Sequence, residues 1–137
     1  MQTNASPSRG SSLVLIVDDD RDCREMYARF LREAGFQVAE AHNGNQALAK
    51  AAEQPPTIVV TDLALPGLDG YHVASKLREQ AATAGVPIIA ITGYGGFIDD
   101  TARALSAGCE AVLAKPCLPD RLLEEIERVL AAKKTPA

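Results

Sequence analysis

The chain predicts an α/β fold: a doubly wound sheet of five parallel strands, order 2-1-3-4-5, flanked by five helices. Three observations predict it. From Leu13 onward, short apolar runs alternate with helix-period segments about five times, and the links between them are short. Acids directly follow two of the runs, Asp18 and Asp19 after Leu13 to Val17, and Asp62 after Ile58 to Val60 and Thr61. Strict β/α alternation with short links implies right-handed crossovers and a sheet covered on both faces. Uninterrupted apolar runs fit strands buried on both sides, and the residue past each carboxyl end then faces a ligand crevice.

The elements follow in order. Residues 1–11, rich in Ser, Gly, Pro and Asn, read as a disordered tail. The domain is expected over 12–132, with 133–137 as a short C-terminal tail. After the first strand, Cys23, Tyr27, Phe30, Leu31 and Ala34 recur at helical spacing, and Gly35 supplies the stop. Phe36 to Ala41 reads as a second strand, and Asn43-Gly44 turns the chain into an Ala-rich helix ending before Pro55-Pro56. Ile58 to Thr61 is the third strand. The loop Leu65 to Gly70 then opens a helix to about Gln80, with Val73, Ala74 and Leu77 inward.

Pro87 leads into the fourth strand, Ile88 to Ile91, and the glycine-rich Gly93 to Gly96 leads into a helix ending at Ala107-Gly108. Ala111 to Ala114 is the weakest strand by pattern. The last helix starts at Pro119, a favoured first-turn position, and buries Leu122, Leu123, Ile126, Val129 and Leu130. Lys133 and Lys134 complement its carboxyl end.

Composition narrows the function. At 137 residues, 47% hydrophobic and 23% charged, the chain is long enough for one domain with its own core. A net charge of -4 argues against a nucleic-acid surface. Three cysteines without paired ligand spacing argue against a zinc site or disulfide framework and for a reducing cytoplasm. No apolar stretch approaches the ~20 residues of a membrane span.

In the order 2-1-3-4-5, strands 1 and 3 are neighbours, so Asp18, Asp19 and Asp62 meet at the switch point. Like charges that close need a cation. Thr92, after the fourth strand, adds a hydroxyl, and Lys115, after the fifth, adds an ammonium group. Acids, a hydroxyl and a lysine around one crevice suit phosphoryl transfer, which needs a nucleophile, a metal and donors that spread charge. Hard oxygen donors, with no His or Cys expected near the site, favour Mg²⁺ over zinc.

Val17-Asp18-Asp19, Asp62 with Leu65-Pro66-Gly67-Leu68-Asp69-Gly70, Ile91-Thr92-Gly93 and Lys115-Pro116 together resemble the response-regulator receiver domain of two-component signalling. That family has the CheY-like, flavodoxin-like fold. The resemblance covers about Leu13 to Leu130, and four short motifs in the right order make it specific. It implies that Asp62 is the phosphoacceptor. Asp19 and Asp62 become direct Mg²⁺ ligands with the backbone carbonyl of Ala64, while Asp18 holds a metal-bound water. It implies that Thr92 contacts the phosphoryl group and moves on activation, and that Lys115 pairs with the acceptor and then the phosphoryl. It also implies a Lys115-Pro116 bond that is often cis.

The partners implied are a histidine kinase or histidine phosphotransfer protein, and a downstream protein target met through the fourth helix, fifth strand and fifth helix. Neither a nucleic acid nor a membrane is expected as partner, and the expected location is the cytoplasm. The reading is of a stand-alone receiver, not an enzyme beyond its own phosphorylation and dephosphorylation. A receiver excised from a hybrid kinase would look the same, and the Thr92-Gly93-Tyr94-Gly95 loop resembles such receivers.

Departures from the family pattern bear on output. Val112 stands three residues before the lysine, where receivers usually carry an aromatic that rotates inward. Ala64 and Tyr94 flank the phosphoryl entrance. Ala64 cannot position a water and Tyr94 can cover the site, which together favour a long-lived phosphoryl group.

Plainer readings stand beside these. Asp18 and Asp19 can cap the first helix. Asp69 and Gly70 read as structural, in the turn that opens the third helix. His42 and His72 read as surface or helix residues, and Cys109 and Cys117 as small apolar filler. Two rival functions remain: a receiver-shaped scaffold independent of phosphorylation, kept open by Val112, and a haloacid-dehalogenase-like phosphatase. The latter needs an acid two residues past the nucleophile, where this chain has Ala64.

Overall fold

The computed structural model describes residues 9–93 and 97–134. Its strands are β1 (Leu13–Val17), β2 (Gln37–Ala41), β3 (Ile58–Asp62), β4 (Ile88–Thr92) and β5 (Ala111–Ala114). Between and after them run α1 (Arg21–Glu33), α2 (Gly44–Glu53), α3 (Gly70–Glu79), α4 (Phe97–Ala107) and α5 (Pro119–Lys134). The strands pair in parallel in the order β2-β1-β3-β4-β5, as the alternation of patterns predicts.

Period-two alternation divides the core between the two faces of the sheet. Val14, Ile16, Val60, Ile89 and Ile91 point to one side, where Tyr27 and Leu31 of α1 and Leu122 and Ile126 of α5 cover them. Leu15, Val17, Val59, Ile88 and Ala90 point to the other, against Ala47, Ala51, Val73, Leu77 and Ala104. Every residue of β3 and β4 is buried, so these central strands show no polar alternation. Burying each large aliphatic contributes roughly 1.5–3 kcal/mol. Leu123, expected inside, is half-buried at the margin of the α5 face.

Short polar residues set the helix ends. Asp20 caps α1, accepting from the amides of Asp22 and Cys23, so the capping role considered for Asp18 and Asp19 belongs to the next residue. Asn43 caps α2 through the Gln46 amide, and Asp69 caps α3 through the His72 amide. The Asp69 carboxylate also lies 2.9 Å from Nδ1 of His72, a partner that spacing did not suggest for this histidine. Gly35, with φ of 106°, ends α1 in the left-handed region that glycine adopts without strain.

Three boundaries move. Asp62 and Thr92 are the last residues of their strands rather than the first loop residues, and β2 begins after Phe36. Phe36 itself is buried on the α1 side. Of the expected tail, residues 9–11 form a short 3-10 turn, and residues 1–8 lie outside those described. Arg9 explains the order: its guanidinium lies over the Phe36 ring, donates to the Ala34 carbonyl and pairs with Glu127 of α5.

At the amino ends of the strands, Arg78 of α3 spreads its guanidinium over three carbonyls. It donates to Ala84, to Val86 at 2.6 Å and to Gly108 at 2.6 Å, and it pairs with Glu110 at 3.0 Å. Glu110 in turn accepts from the amide of Ile88 at 2.9 Å. The start of β4 and the turn before β5 are thereby joined through side chains.

Candidate functional site at the carboxyl end of the sheet

β1 and β3 are adjacent and in register from Val14↔Ile58 to Val17↔Thr61, so their carboxyl ends stop side by side. Asp18 and Asp62 are buried there, while Asp19 is exposed. One carboxylate oxygen from each of Asp18, Asp19 and Asp62 lies within 4.8 Å of the others. The three acids meet as the strand order predicts.

Asp62 is held through both oxygens. Oδ1 accepts from the Ala64 amide at 2.9 Å, and Oδ2 accepts from Nζ of Lys115 at 2.6 Å. Lys115 reaches it because β5 ends beside β4, with the Lys115 amide donating to the Thr92 carbonyl at 2.8 Å. Burial works against the Lys115 charge, but the hydrogen bond and charge of Asp62, with Asp18 behind them, outweigh it and hold the ammonium above its ordinary value. The bond that follows Lys115 is cis.

Asp18 sits under opposing influences. Burial is the largest and pushes its carboxyl up, and the nearby Asp62 charge adds to that. The Asp20 amide, at 2.9 Å from Oδ1, the Cys23 thiol and the Lys115 charge pull it back without cancelling the rise. Arg24 steadies the same loop, donating to the Asp18 carbonyl at 3.0 Å while pairing with Glu40.

Cys23 corrects one expectation: a cysteine does stand beside the pocket, its thiol hydrogen-bonded to Asp18. Burial, then the Asp18 charge, pushes that thiol up to about 11, so it stays protonated at neutral pH and acts as a donor rather than a soft ligand. Three carboxylates against one ammonium leave an excess of negative charge, and the groups able to offset it with a cation are hard oxygens. The residues present fit a divalent ion such as Mg²⁺.

Thr92 ends β4 at the same edge, but its hydroxyl points elsewhere, donating to Oδ2 of Asp100 on α4 at 2.6 Å. Ala64 is exposed beside Asp62. Tyr94 lies outside the described residues. Val112 is half-buried in β5, within the core face shared with α4. Cys109 and Cys117 are buried free thiols. No motif or spacing in the sequence marks Asp20, Cys23, Arg24, Asp100 or Tyr71 as part of the site, the last donating to Asp100 at 3.0 Å. Helical spacing places Cys23 on the sheet-facing side of α1, whereas the contacts of Asp100 depend on the rotation of α4 about its axis.

Known proteins resemble the chain along most of its length. The family model described as the response regulator receiver domain matches residues 14–127. The chain is 35% identical over 117 residues to the phosphate regulon transcriptional regulatory protein PhoB of Pseudomonas aeruginosa, covering 85% of this chain and 51% of that protein. It spans about half the length of the first curated relatives it matches. Among solved structures, the chemotaxis protein CheY4 of Vibrio cholerae superposes with a TM-score of 0.82 at 29% identity, over 87% of this chain and 98% of that one. The signal receiver domain of a signal transduction histidine kinase from Syntrophus aciditrophicus gives 0.82 at 27% identity, over 93% and 96%. Since the match runs unbroken from the first strand into the last helix, the chain belongs to the response regulator receiver domains of two-component systems.

Proposed function

We propose that this receiver is a Mg²⁺-dependent phosphoacceptor that takes a phosphoryl group from a phosphohistidine onto Asp62. The observation that carries the reading is Asp62 itself: a buried strand-end carboxylate fixed at 2.6 Å by Lys115 and within 4.8 Å of two further acids. A carboxylate oxygen of Asp62 attacks phosphorus, the P–N bond to the imidazole breaks, and an aspartyl phosphate forms while the imidazole leaves with the bonding pair. The Ala64 amide and Lys115 orient the carboxylate beforehand. Lys115, held protonated, follows the charge as it moves onto the phosphoryl oxygens, and the Thr92 hydroxyl supplies a further donor. Asp18, Asp19, Asp62 and the Ala64 carbonyl would hold Mg²⁺, which supplies positive charge to offset repulsion between the phosphoryl group and the acids.

The donor is a histidine kinase or a histidine phosphotransfer protein, in keeping with family membership. Output passes through protein contacts made by α4, β5 and α5, since a chain of net charge -4 has no basic excess for nucleic acid. No helix of the described residues is long and apolar enough to cross a membrane. Receiver domains are signalling domains rather than turnover enzymes, and the only chemistry proposed is gain and loss of the chain's own phosphoryl group.

Incubation with acetyl phosphate and Mg²⁺ tests the reading by mass spectrometry. One phosphoryl group is expected, absent in Asp62→Asn and absent with EDTA. Repeated turnover of a small phosphate ester would favour a phosphatase instead. A chain with unchanged mass and amide spectra under acetyl phosphate or beryllofluoride would favour the scaffold reading, which the aliphatic Val112 keeps in play.

A further inference from the structure

A threonine hydroxyl has one proton to donate. Thr92 gives its proton to Oδ2 of Asp100 at 2.6 Å, the short distance of a charge-assisted bond. The other oxygen of the same carboxylate accepts from the Tyr71 hydroxyl at 3.0 Å. The Arg103 guanidinium lies 3.9 Å over the Tyr71 ring. One half-buried carboxylate on α4 thus ties the end of β4 to the first turn of α3, and its own helix supplies the cation that caps the arrangement.

The consequence for chemistry is a competition. If Asp62 carries the phosphoryl group, as proposed above and as this inference requires, that group calls for the same Thr92 proton. The hydroxyl cannot serve both acceptors. We infer that Asp100 is a positioning residue for the phosphoacceptor reaction: its carboxylate keeps the Thr92 hydroxyl on α4 until a phosphoryl group on Asp62 draws it away. The transfer exchanges one hydrogen bond for another, with no covalent change at Thr92 or Asp100. Asp100 keeps its bond from Tyr71, so α4 stays with α3 while its tie to the end of β4 is released.

This route needs no aromatic at position 112. Val112 pairs in register with Ala90 on β4 and packs into the core face shared with α4, so it has no polar end with which to sense the pocket. Tyr71 supplies an aromatic with a hydroxyl from the neighbouring helix instead, joined to Thr92 through a single intervening carboxylate.

Beryllofluoride with Mg²⁺, titrated into the full chain and followed by amide spectra, tests the inference. Asp100→Asn keeps the size but loses the charge and one acceptor oxygen, and should bind the analogue about tenfold more tightly, or ~1.4 kcal/mol. In a Thr92→Ala background the same substitution should change nothing, because the competing proton is gone. In the unsubstituted chain, three-bond couplings of a methyl-labelled Thr92 should report a change of χ1 on adding the analogue. This measurement stands even if the Asp100 variants fold poorly. An unaltered Thr92 rotamer overturns the inference, as does an Asp100 effect of equal size with and without the Thr92 hydroxyl. A wild-type chain that binds no analogue overturns the phosphoacceptor reading together with it; normal binding without Asp100–Thr92 coupling overturns this inference alone.

Discussion

Asp62 and Lys115 form a pair in which the carboxylate is more deeply buried than its partner, with side chains 6% and 29% exposed. Deleting one member of such a pair leaves the other charge desolvated and uncompensated. Lys115→Ala should therefore cost ~2 kcal/mol at neutral pH, because Asp62 then faces Asp18 and Asp19 without a cation. Adding Asp62→Asn to Lys115→Ala should restore much of that loss, as urea unfolding of both variants would reveal. A double variant no more stable than Lys115→Ala alone would contradict a like-charge origin. Position alone made the five groups legible in the sequence, since each sits at or just past the end of an apolar run. Their contacts were not. Three consecutive acids, 18 to 20, left open which one caps and which ones face the pocket, and only the chain's path through the turn decides that.

At the scale of elements, the start of α3 rests directly on the end of β3. A methyl group built on Gly70 would come within 2.4 Å of the Asp62 carbonyl and 2.8 Å of the Leu63 Cα, both rigid backbone. Gly70→Ala should destabilise the fold by ~2–4 kcal/mol and displace the strand end that carries Asp62, the proposed acceptor, read as loss of both melting temperature and acetyl-phosphate labelling. On α5, Glu125 is held below the usual carboxylate range, first by its hydrogen bond from Arg128 and also by Arg121, with burial opposing them. The unfolded chain protonates this group near pH ~4.3. Its contribution is thus complete above that pH and disappears as pH falls through the lower folded value. Glu125→Gln should lower the melting temperature by ~2 °C at pH 7, a gap that closes in strong acid. A gap that persists there would point to packing rather than charge. Helices and strands were readable because their periods are written in the apolar residues. The turn at Arg9–Ser11 was not, because tertiary partners order it: Phe36 and Glu127 are 27 and 118 residues away from Arg9 in sequence order.

Across the whole molecule, folding assembles a pocket that is short of positive charge. Asp18→Asn removes one of the crowded carboxylates and should raise the melting temperature of the metal-free protein by ~3 °C. The same change should reduce any stabilisation by added MgCl₂, which for a pocket that binds the ion as proposed would be ~2.7 kcal/mol at a hundredfold excess over the dissociation constant. Thermal melts with and without Mg²⁺ read both effects, and an Asp18→Asn protein that melts earlier without metal would refute the crowding argument. The topology that gathers the acids was visible in the order of patterns, whereas the Thr92–Asp100 contact was hidden because it depends on a side-chain rotamer.

The guanidinium fan of Arg78 lies at the opposite rim from those acids. Its bonds to Ala84, Val86 and Gly108 brace the loops that deliver β4 and β5 into the sheet. The molecule accordingly has two poles, one carrying reactive and mutually repelling groups and the other fastening the scaffold. Reinforcement or loosening at the Arg78 pole should tune how much heat the domain tolerates while leaving the proposed phosphoryl transfer at Asp62 alone, so durability and signalling can change independently of each other.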